Sequence, residues 1–418
     1  MTPPAHRTEA PVASPADPEA TRRPPPLWLL IGAAALGPSA LNIFVPALPG
    51  LIAAFASDVA TVNLALSLYL VTFALAQLAY GPISDRYGRR PTLLFGIALF
   101  GGAAVLCAGA MSLGMLIAGR ILQAIGGCAG MVVVRAMVRD SYERARAASV
   151  LASVTMAMAV APAISQWVGG HLAERLGWRA GFVLLVALGG GLLIAAWRGL
   201  PETLRERQPS LGVDALLASY RAVLRSPVFL GFAGYVALSS AGYFAFIAGA
   251  PFLVERVLGG TAADSGTGFL FVAAGYMLGS FVAARWSVRG GVERMVIAGT
   301  VIGLMACGAL AMCALTGQLG LVALFAPAIA LLAGNGIALP SAIATAISVE
   351  PRAAGTAAGL VGCGQMAGGA LATTLVAWLD DGSALPMIAV MSGSMLLSVL
   401  AYALARLGAR AAIARQPA

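Results

Sequence analysis

The chain has no lysine: all 26 of its basic residues are arginines, and its histidines are His6 and His171. Charged residues make up 10% of the 418 positions, against about 25% in a typical soluble domain. A soluble chain that is 60% hydrophobic could not cover its surface with polar groups. The scarcity of charge therefore excludes an ordinary soluble enzyme and indicates that lipid surrounds the protein.

Groups that hold metals or form covalent crosslinks are also scarce. The five cysteines each lie inside a hydrophobic stretch, where a thiol behaves as a small apolar residue. Two histidines are too few for a histidine-based cluster. We therefore expect no disulfide framework, no metal site and no cofactor, and an intramembrane enzyme is disfavoured because no paired catalytic groups occur within the hydrophobic runs.

Long apolar runs fill almost the whole chain, whose mean hydropathy is +0.88. A helix that spans a bilayer needs roughly 20 mostly apolar residues, and twelve runs meet this need, which predicts an all-α integral membrane protein. The largest gap divides the spans six and six, which predicts two pseudo-symmetric halves. The runs lie near 27–48, 61–82, 92–111, 114–137, 148–172 and 180–198, and near 228–250, 267–286, 294–315, 319–345, 355–379 and 384–406.

The two halves are predicted to cover 27–198 and 228–406. The segments outside these halves are predicted to be polar. Residues 1–26 are rich in proline and charge and contain no apolar run, so they are interpreted as a disordered cytoplasmic tail rather than a signal peptide. Residues 199–227 form a central cytoplasmic loop and 407–418 a second tail. Val213, Leu217, Tyr220 and Leu224 recur at helical spacing in the loop, which fits either a helix on the membrane surface or a solvated linker helix.

The distribution of arginine predicts the orientation. If the N-terminus is cytoplasmic, most arginines fall in cytoplasmic segments, and the outer loops hold only Arg175, Arg179 and Arg256. The positive-inside rule then places both termini in the cytoplasm. Because the arginines are explained by topology, the net charge of +9 does not indicate a nucleic-acid partner.

The loop after the second span carries a distinctive pattern, Gly-x-x-x-Asp-Arg-x-Gly-Arg-Arg. Glycine permits a tight turn between helices, and a carboxylate can stabilise the positive N-terminus of a neighbouring helix. A basic loop that only sets topology would not need this spacing. The residues of this candidate conformational latch are Gly81, Asp85, Arg86, Gly88, Arg89 and Arg90, together with Asp140 at the end of the fourth span.

The fourth span contains an arginine, Arg120. An ionised side chain within a membrane is costly and normally faces the bundle interior, so we expect Arg120 to face a polar cavity. The alternative is a side chain that reaches back to the membrane surface. Gly126, Gly127 and Gly130 follow on the same span and allow another helix to approach closely.

These motifs resemble the major facilitator superfamily, and within it the bicyclomycin- and chloramphenicol-resistance drug:proton antiporters. The resemblance is carried by 41–49, by 67–86 and by 120–140. It implies the major facilitator fold, export of hydrophobic drugs driven by protons, and a bacterial inner membrane. It also implies that Asp85 faces the start of the eleventh span near Gly355 and Thr356, and that Arg89 pairs with Asp140. The corresponding loop of the second half, 279–294, lacks the aspartate.

The chain departs from this family in two places. Asn42 stands where the family usually carries an aspartate, its expected proton carrier, and no Asp or Glu lies deep inside any span. Ser165 and Gln166 stand in place of a Gly-Pro pair in the fifth span. The alternative function is therefore a metabolite exporter or facilitator without proton coupling. A receptor or channel is disfavoured by the six-plus-six layout and the latch motif.

The remaining polar side chains within spans predict a binding cavity. A pocket for a drug-sized molecule is mainly apolar and contains a few polar groups. For each of these residues taken singly, helix packing is the commoner role. We expect a monomer that binds a small hydrophobic substrate. If the protein is a drug:proton antiporter, protons are a second partner. The candidate cavity residues are Asn42, Asn63, Gln77, Arg120, Gln123, Gln166, Tyr243 and Gln365.

Overall fold

The computed structural model describes residues 24–204, 213–350 and 353–414, and within this part of the chain it contains no β-strand. Twelve helices are long and apolar enough to span a membrane. The predicted all-α membrane architecture is therefore confirmed. Spans 1–6 are Leu27–Phe55, Val59–Tyr87, Arg89–Ala108, Leu113–Ser141, Ser149–Leu176 and Arg179–Gly199; spans 7–12 are Pro227–Arg256, Ala262–Trp286, Gly291–Leu315, Leu321–Ser348, Ala354–Trp378 and Leu385–Gly408.

Proline and glycine shape the ends of these spans. In span 1, a single turn of 3-10 helix at Val45–Ala47 separates Leu27–Phe44 from Leu48–Phe55. Pro46 and Pro49 explain this irregularity, because proline cannot donate to the preceding turn. Span 1 therefore continues beyond the predicted end at residue 48. At Gly88, φ is +103°, which glycine alone adopts readily and which turns span 2 into span 3.

The spans share two ends. We call the end that holds Leu27, the Gly88 turn and residues 200–204 and 217–226 the linker end, and the opposite end the far end. Span 2 packs against span 11 and span 5 against span 8, and these are the most extensive contacts between the halves; the end of span 1 also contacts spans 7 and 8. Asp58 caps span 2 at the far end, where its Oδ1 accepts a hydrogen bond from the Thr61 amide at 2.8 Å. This hydrogen bond lowers the pKa of the Asp58 carboxyl group.

The halves are closed together at the far end. No Cβ would fit at Gly170, which lies against the carbonyl of Ala262, or at Gly266, which lies against the carbonyl of Gln166. The Glu174 carboxylate of span 5 accepts a hydrogen bond from the Ala263 amide at 3.2 Å, in the first turn of span 8. A carboxylate at a helix N-terminus is favourable, so Glu174 stabilises this closure.

The linker end is open between the halves. A Cβ at Gly81 of span 2, or at Gly355 or Gly359 of span 11, would meet no atom within 4 Å. Met156 of span 5 is 64% exposed, and Arg135 of span 4 is also exposed. The halves are therefore in close contact at the far end, whereas these positions at the linker end lie in open space.

The segment between the halves contains a helix, Val213–Leu224. Leu217 and Leu224 are each 45% exposed, whereas Val223 is buried against the second half beside Phe229. The helix thus lies on the surface of the bundle at the linker end. Residues 205–212, most of the predicted N-terminal tail and residues 415–418 lie outside the described residues, and the last helix, Leu385–Ala414, continues into the predicted C-terminal tail.

Candidate functional site

Arg120 is completely buried in the first half, seven residues from the far end of span 4. Its guanidinium lies between two aromatic rings, 4.6 Å from the centre of Phe44 and 4.2 Å from the centre of Tyr69. A guanidinium over a ring face is attracted by the quadrupole of that ring, more strongly where water is excluded. Because the side chain is enclosed by spans 1 and 2, it does not reach a membrane surface.

Glycines of span 4 position this arrangement. Gly130 lies against the carbonyl of Ala33 and Gly127 against Gly37, so no side chain would fit between spans 1 and 4. The Tyr69 hydroxyl of span 2 donates to the Gly37 carbonyl at 2.9 Å, which fixes the ring that covers the guanidinium. The close helix approach predicted from the glycines thus brings the backbone of span 1 to Arg120.

Arg120 has too few acceptors. Its Nη1 donates to the carbonyl of Ala40 at 2.9 Å and to Gln123 Oε1 at 2.6 Å. Its Nε and Nη2 have no partner, and neither does Gln123 Nε2. A buried donor without an acceptor costs about 1–3 kcal/mol, and more when it is charged. The site therefore has an unused capacity to bind oxygen acceptors, and no carboxylate of the described residues neutralises Arg120.

Asn42 and Asn63 also have unused acceptors. The Asn42 amide nitrogen donates to the Pro38 carbonyl at 2.7 Å, and the Asn63 amide nitrogen donates to the Val59 carbonyl at 3.2 Å. Both side chains are buried, and the Oδ1 of each has no partner. Each asparagine is thus held by its own helix, with Asn63 one turn from the far end of span 2.

Two candidate glutamines lie at contacts between the halves. Gln77 Oε1 of span 2 lies against Gly362 of span 11, and a Cβ at that position would displace the Gln77 amide. Gln166 of span 5 lies beside the Tyr243 hydroxyl of span 7. Neither amide atom of Gln166 forms a hydrogen bond of good geometry, so the two side chains touch without a hydrogen bond.

Gln365 lies entirely within the second half. Its Nε2 donates to the Ser240 hydroxyl at 3.0 Å, which joins span 11 to span 7. The eight candidate cavity residues therefore do not form one cluster. Arg120 and Gln123 are in direct contact in the first half, Gln166 and Tyr243 meet across the halves, and the other four lie at separate positions.

Arg89 is the centre of the candidate latch at the linker end. Its guanidinium contacts Asp85 Oδ1 at 2.6 Å, Asp140 Oδ2 at 2.9 Å and the Ser84 hydroxyl at 2.6 Å. Arg89 is 3% exposed, whereas the side chains of Asp85 and Asp140 are 38% and 18% exposed, so the arginine is buried while its carboxylate partners still reach water. The pair expected between Arg89 and Asp140 is present. Asp85 contacts Arg89 in its own half, while the start of span 11 around Gly355 lies in open space.

Glu202 completes this network and was not among the residues singled out from the sequence. Its carboxylate accepts hydrogen bonds from the amides of Arg89 at 3.0 Å and Arg90 at 3.3 Å, the first residues of span 3. Two amides of its own segment, Thr203 and Leu204, bind the same carboxylate. The signal was an acid directly after a proline at the end of span 6. Phe44 and Tyr69 carried no comparable signal, because aromatic residues are common in spans.

Comparison with known proteins adds the family context. The sequence profile described as the Major Facilitator Superfamily matches residues 27–373. Multidrug resistance protein D of Escherichia coli is 29% identical over 355 residues, covering 85% of this chain and 89% of that protein. The chloramphenicol resistance protein of Pseudomonas aeruginosa is 30% identical over 371 residues, covering 83% of each chain. The bicyclomycin resistance protein homolog of Haemophilus influenzae is 27% identical over 332 residues, covering 79% and 83%.

Solved structures share the fold at low sequence identity. A bacterial homolog of the human lysosomal transporter Spinster, in an inward-facing and unoccupied conformation, matches with a TM-score of 0.72 and 17% identity, covering 92% of this chain and 96% of that one. The D-xylose–proton symporter matches with a TM-score of 0.68 and 15% identity, covering 91% and 96%.

Proposed function

Because this chain belongs to the major facilitator superfamily, whose members are carriers rather than enzymes, we propose that it exports hydrophobic small molecules across the bacterial inner membrane by alternating access. The sequence-based resemblance to that superfamily is confirmed. The observation that carries the choice of substrate is that relatives named for multidrug, bicyclomycin and chloramphenicol resistance align across 79–85% of the chain. Compounds of the chloramphenicol and bicyclomycin type are therefore the first substrates to test.

The geometry supports alternating access. The linker end is open and, by the distribution of arginine, faces the cytoplasm. The far end is closed by the contact between Gly170 and Ala262 and by Glu174 at the start of span 8. Outward opening requires these contacts to break. In that conformer Asp85 can stabilise the N-terminus of span 11, as the resemblance implies.

The buried donors around Arg120 support a substrate that carries oxygen acceptors. In the conformer described here, the missing hydrogen bonds of these donors raise the free energy of the protein. A conformer or a substrate complex that supplies acceptors is therefore stabilised relative to it. Carbonyl, nitro or hydroxyl oxygens satisfy this need on an otherwise hydrophobic compound. A cationic substrate would meet the positive charge of Arg120 without a carboxylate nearby, so neutral and anionic substrates are favoured.

Export without proton coupling is the second candidate function, and Asn42 is the observation that favours it. An amide does not bind and release a proton near neutral pH, and the Asn42 amide is held on the Pro38 carbonyl. Inverted vesicles with an imposed pH gradient distinguish the two functions. Antiport predicts drug uptake that depends on the gradient and is accompanied by proton release, whereas facilitated export predicts uptake that follows the drug gradient alone.

The test of the main proposal is a drug-susceptibility panel in a bacterial host that lacks its own efflux pumps. We expect the wild-type chain to raise resistance to at least one chloramphenicol- or bicyclomycin-type compound. The Arg120→Ala variant at equal abundance should not raise it. Unchanged susceptibility to the whole panel, with the protein present in the membrane, would contradict export of this class of compound.

A further inference from the structure

An apolar groove lies on the outside of the first half, in the part of the bundle nearest the linker end. It has a volume of about 630 Å³ and runs between spans 2 and 3, with Ile125 of span 4 at its floor. Leu75 of span 2 and Phe95 of span 3 form its walls and are 62% and 63% exposed. These side chains lie on the lipid-facing surface, so the groove opens to the bilayer.

The sequence explains why this groove exists. Spans 2 and 3 meet at the Gly88 turn and both pack along span 4, while they make few contacts with each other. The positions of span 2 that face the gap include Ala76 and Ala79, whose methyl groups cannot fill it. The result is a space between spans 2 and 3 that is lined by residues from the Gly88 turn to Thr72.

The chemistry of the walls limits what can occupy the groove. An ordered water needs two to four polar partners, and a groove lined by Leu75, Ile83, Phe95 and Ile125 offers almost none. Within a bilayer the material that fills an apolar surface groove is a lipid acyl chain. Tyr87 marks the end of the groove nearest the headgroups and is 55% exposed. Tyrosine is enriched at this depth of a membrane because its ring is apolar and its hydroxyl is polar.

Two arginines, Arg86 and Arg90, lie at the mouth of the groove. Arg86 is exposed, and its guanidinium lies 5.4 Å from the centre of the Tyr87 ring. Arg90 precedes Pro91, which lines the groove; its Nη2 donates to the Trp197 carbonyl at 2.7 Å, and its Nε has no partner. Three acids lie near this mouth: Asp85 and Asp140 pair with Arg89, and the Glu202 carboxylate is bound by the backbone amides of Arg89, Arg90, Thr203 and Leu204. Arg86 forms no ion pair with a described residue, so its guanidinium is available to a phosphate.

We propose that this groove is a binding site for an anionic glycerophospholipid of the cytoplasmic leaflet, with an acyl chain between spans 2 and 3 and the phosphate on Arg86 and Arg90. The groove is lined by spans 2, 3 and 4 of the first half alone, and the proposal does not depend on which drug the protein exports. It adjoins the Gly88 turn and the Arg89 network, so bound lipid stabilises the segment that must move when the linker end closes.

The test measures which lipids remain bound to the purified full-length protein by native mass spectrometry, after exchange into mixed micelles with equal amounts of phosphatidylglycerol and phosphatidylcholine. Ala79→Trp fills the groove, and Arg86→Gln removes a charge at its mouth. Each arginine near an anionic membrane surface has an effect of about fivefold on binding, so we expect Arg86→Gln to lower retained phosphatidylglycerol about fivefold. Ala79→Trp should lower the retention of both lipids.

Matched controls are available on the same molecule. Arg285 lies over the Phe281 ring at 5.2 Å, at the linker end of span 8, and reproduces the arginine–aromatic pair outside the groove. Leu188 of span 6 is 50% exposed and gives a control for a large substitution on the lipid-facing surface. Arg285→Gln and Leu188→Trp should retain phosphatidylglycerol as the wild type does.

Three results would overturn the proposal. Equal retention of both lipids by the wild type would mean that the groove holds only unselected bilayer lipid. Unchanged phosphatidylglycerol retention in both Arg86→Gln and Ala79→Trp would exclude the site. Loss of drug binding in Ala79→Trp, with lipid retention unchanged, would make the groove a path for substrate instead. Because Arg86 is exposed, Arg86→Gln should fold normally. The test therefore remains valid even if the Ala79→Trp variant fails to fold.

Discussion

The two halves share one architecture but differ in how their buried polar groups are satisfied. In the second half, Asn335 and Ser239 exchange hydrogen bonds, and the Tyr235 and Thr300 hydroxyls pair at 2.9 Å. In the first half, Arg120 and Gln123 are buried with donors that have no partner. Among the described residues of spans 7–12, only Ser280 has a buried side-chain oxygen or nitrogen without a hydrogen-bond partner.

This difference indicates that the buried polar groups of the second half have a structural role and those of the first half a binding role. Native proteins leave few buried polar groups unpaired, and each exception needs an explanation. The second half uses its polar pairs to hold helices together, whereas the first half keeps donors available. The turns show the same contrast, since the Gly88 turn is held by Arg89, Asp140 and Glu202, while the turn at Gly291 lacks the aspartate. The first half is therefore the one in which substitutions should affect transport most.

The largest effect is expected for Arg120→Ala. Hydrogen bonds to a charged group contribute about 1.5–3 kcal/mol each, so the loss should reduce transport by at least about tenfold. Arg120→Lys should restore little, because a single ammonium cannot replace the guanidinium fork between two rings. Drug accumulation in cells, normalised to the amount of protein in the membrane, measures the effect. Wild-type transport by the alanine variant would reduce Arg120 to a packing residue.

The matched change in the second half is Asn335→Ala. It removes both hydrogen bonds with Ser239 and leaves the Ser239 hydroxyl without its acceptor, which should cost about 1–3 kcal/mol of stability. We expect a lower melting temperature in detergent, with transport per folded molecule close to that of the wild type. If transport falls as far as in Arg120→Ala at equal abundance, the contrast between the halves is wrong.

A smaller effect is expected for Asp85→Asn. A carboxylate at a helix N-terminus contributes about 1 kcal/mol, so the substitution should shift the balance between the two conformers about fivefold. Thiol labelling of a single cysteine introduced at Gly359, which lies in the open space at the linker end, reports this balance. We expect the cysteine at position 359 to be labelled more when Asp85→Asn is also present than when Asp85 is retained. We also expect slower transport in Asp85→Asn. Equal labelling and equal transport would remove Asp85 from the mechanism.

The smallest effect is expected for Asn42→Asp, which introduces the carboxyl group that the family resemblance implies for this position of span 1. Burial of a carboxyl group in general raises its pKa toward neutrality. We expect transport to become pH-dependent by roughly twofold between pH 6 and 8, or the substrate range to extend to cations. Drug-evoked proton release from inverted vesicles measures the coupling. Strong release already present in the wild type would show that protons use another group.

The membrane architecture could be predicted from the sequence because twenty-residue apolar runs are long and separated by arginine-rich turns. Arg120 was identifiable since charge is rare in spans, but its enclosure by Phe44 and Tyr69 depends on three helices meeting, which no local pattern encodes. Glu202 was missed for the same reason: it is 113 residues from the Arg89 amide that it binds. The end of span 1 at Phe55 was not predicted, because Pro46 and Pro49 are typical of the end of a helix, whereas here the helix resumes after a single 3-10 turn.

The central claim is that the first half supplies the donors that bind the substrate. The direct measurement is an equilibrium titration of the purified protein with the compound that gives the strongest resistance in the panel, using wild type, Arg120→Lys and Asn335→Ala. We predict that Arg120→Lys weakens binding by at least about tenfold, as expected for the loss of charge-assisted hydrogen bonds, while Asn335→Ala changes binding by less than about twofold, because its hydrogen bonds to Ser239 hold helices of the second half together. Wild-type affinity in Arg120→Lys, together with a large loss in Asn335→Ala, would contradict it.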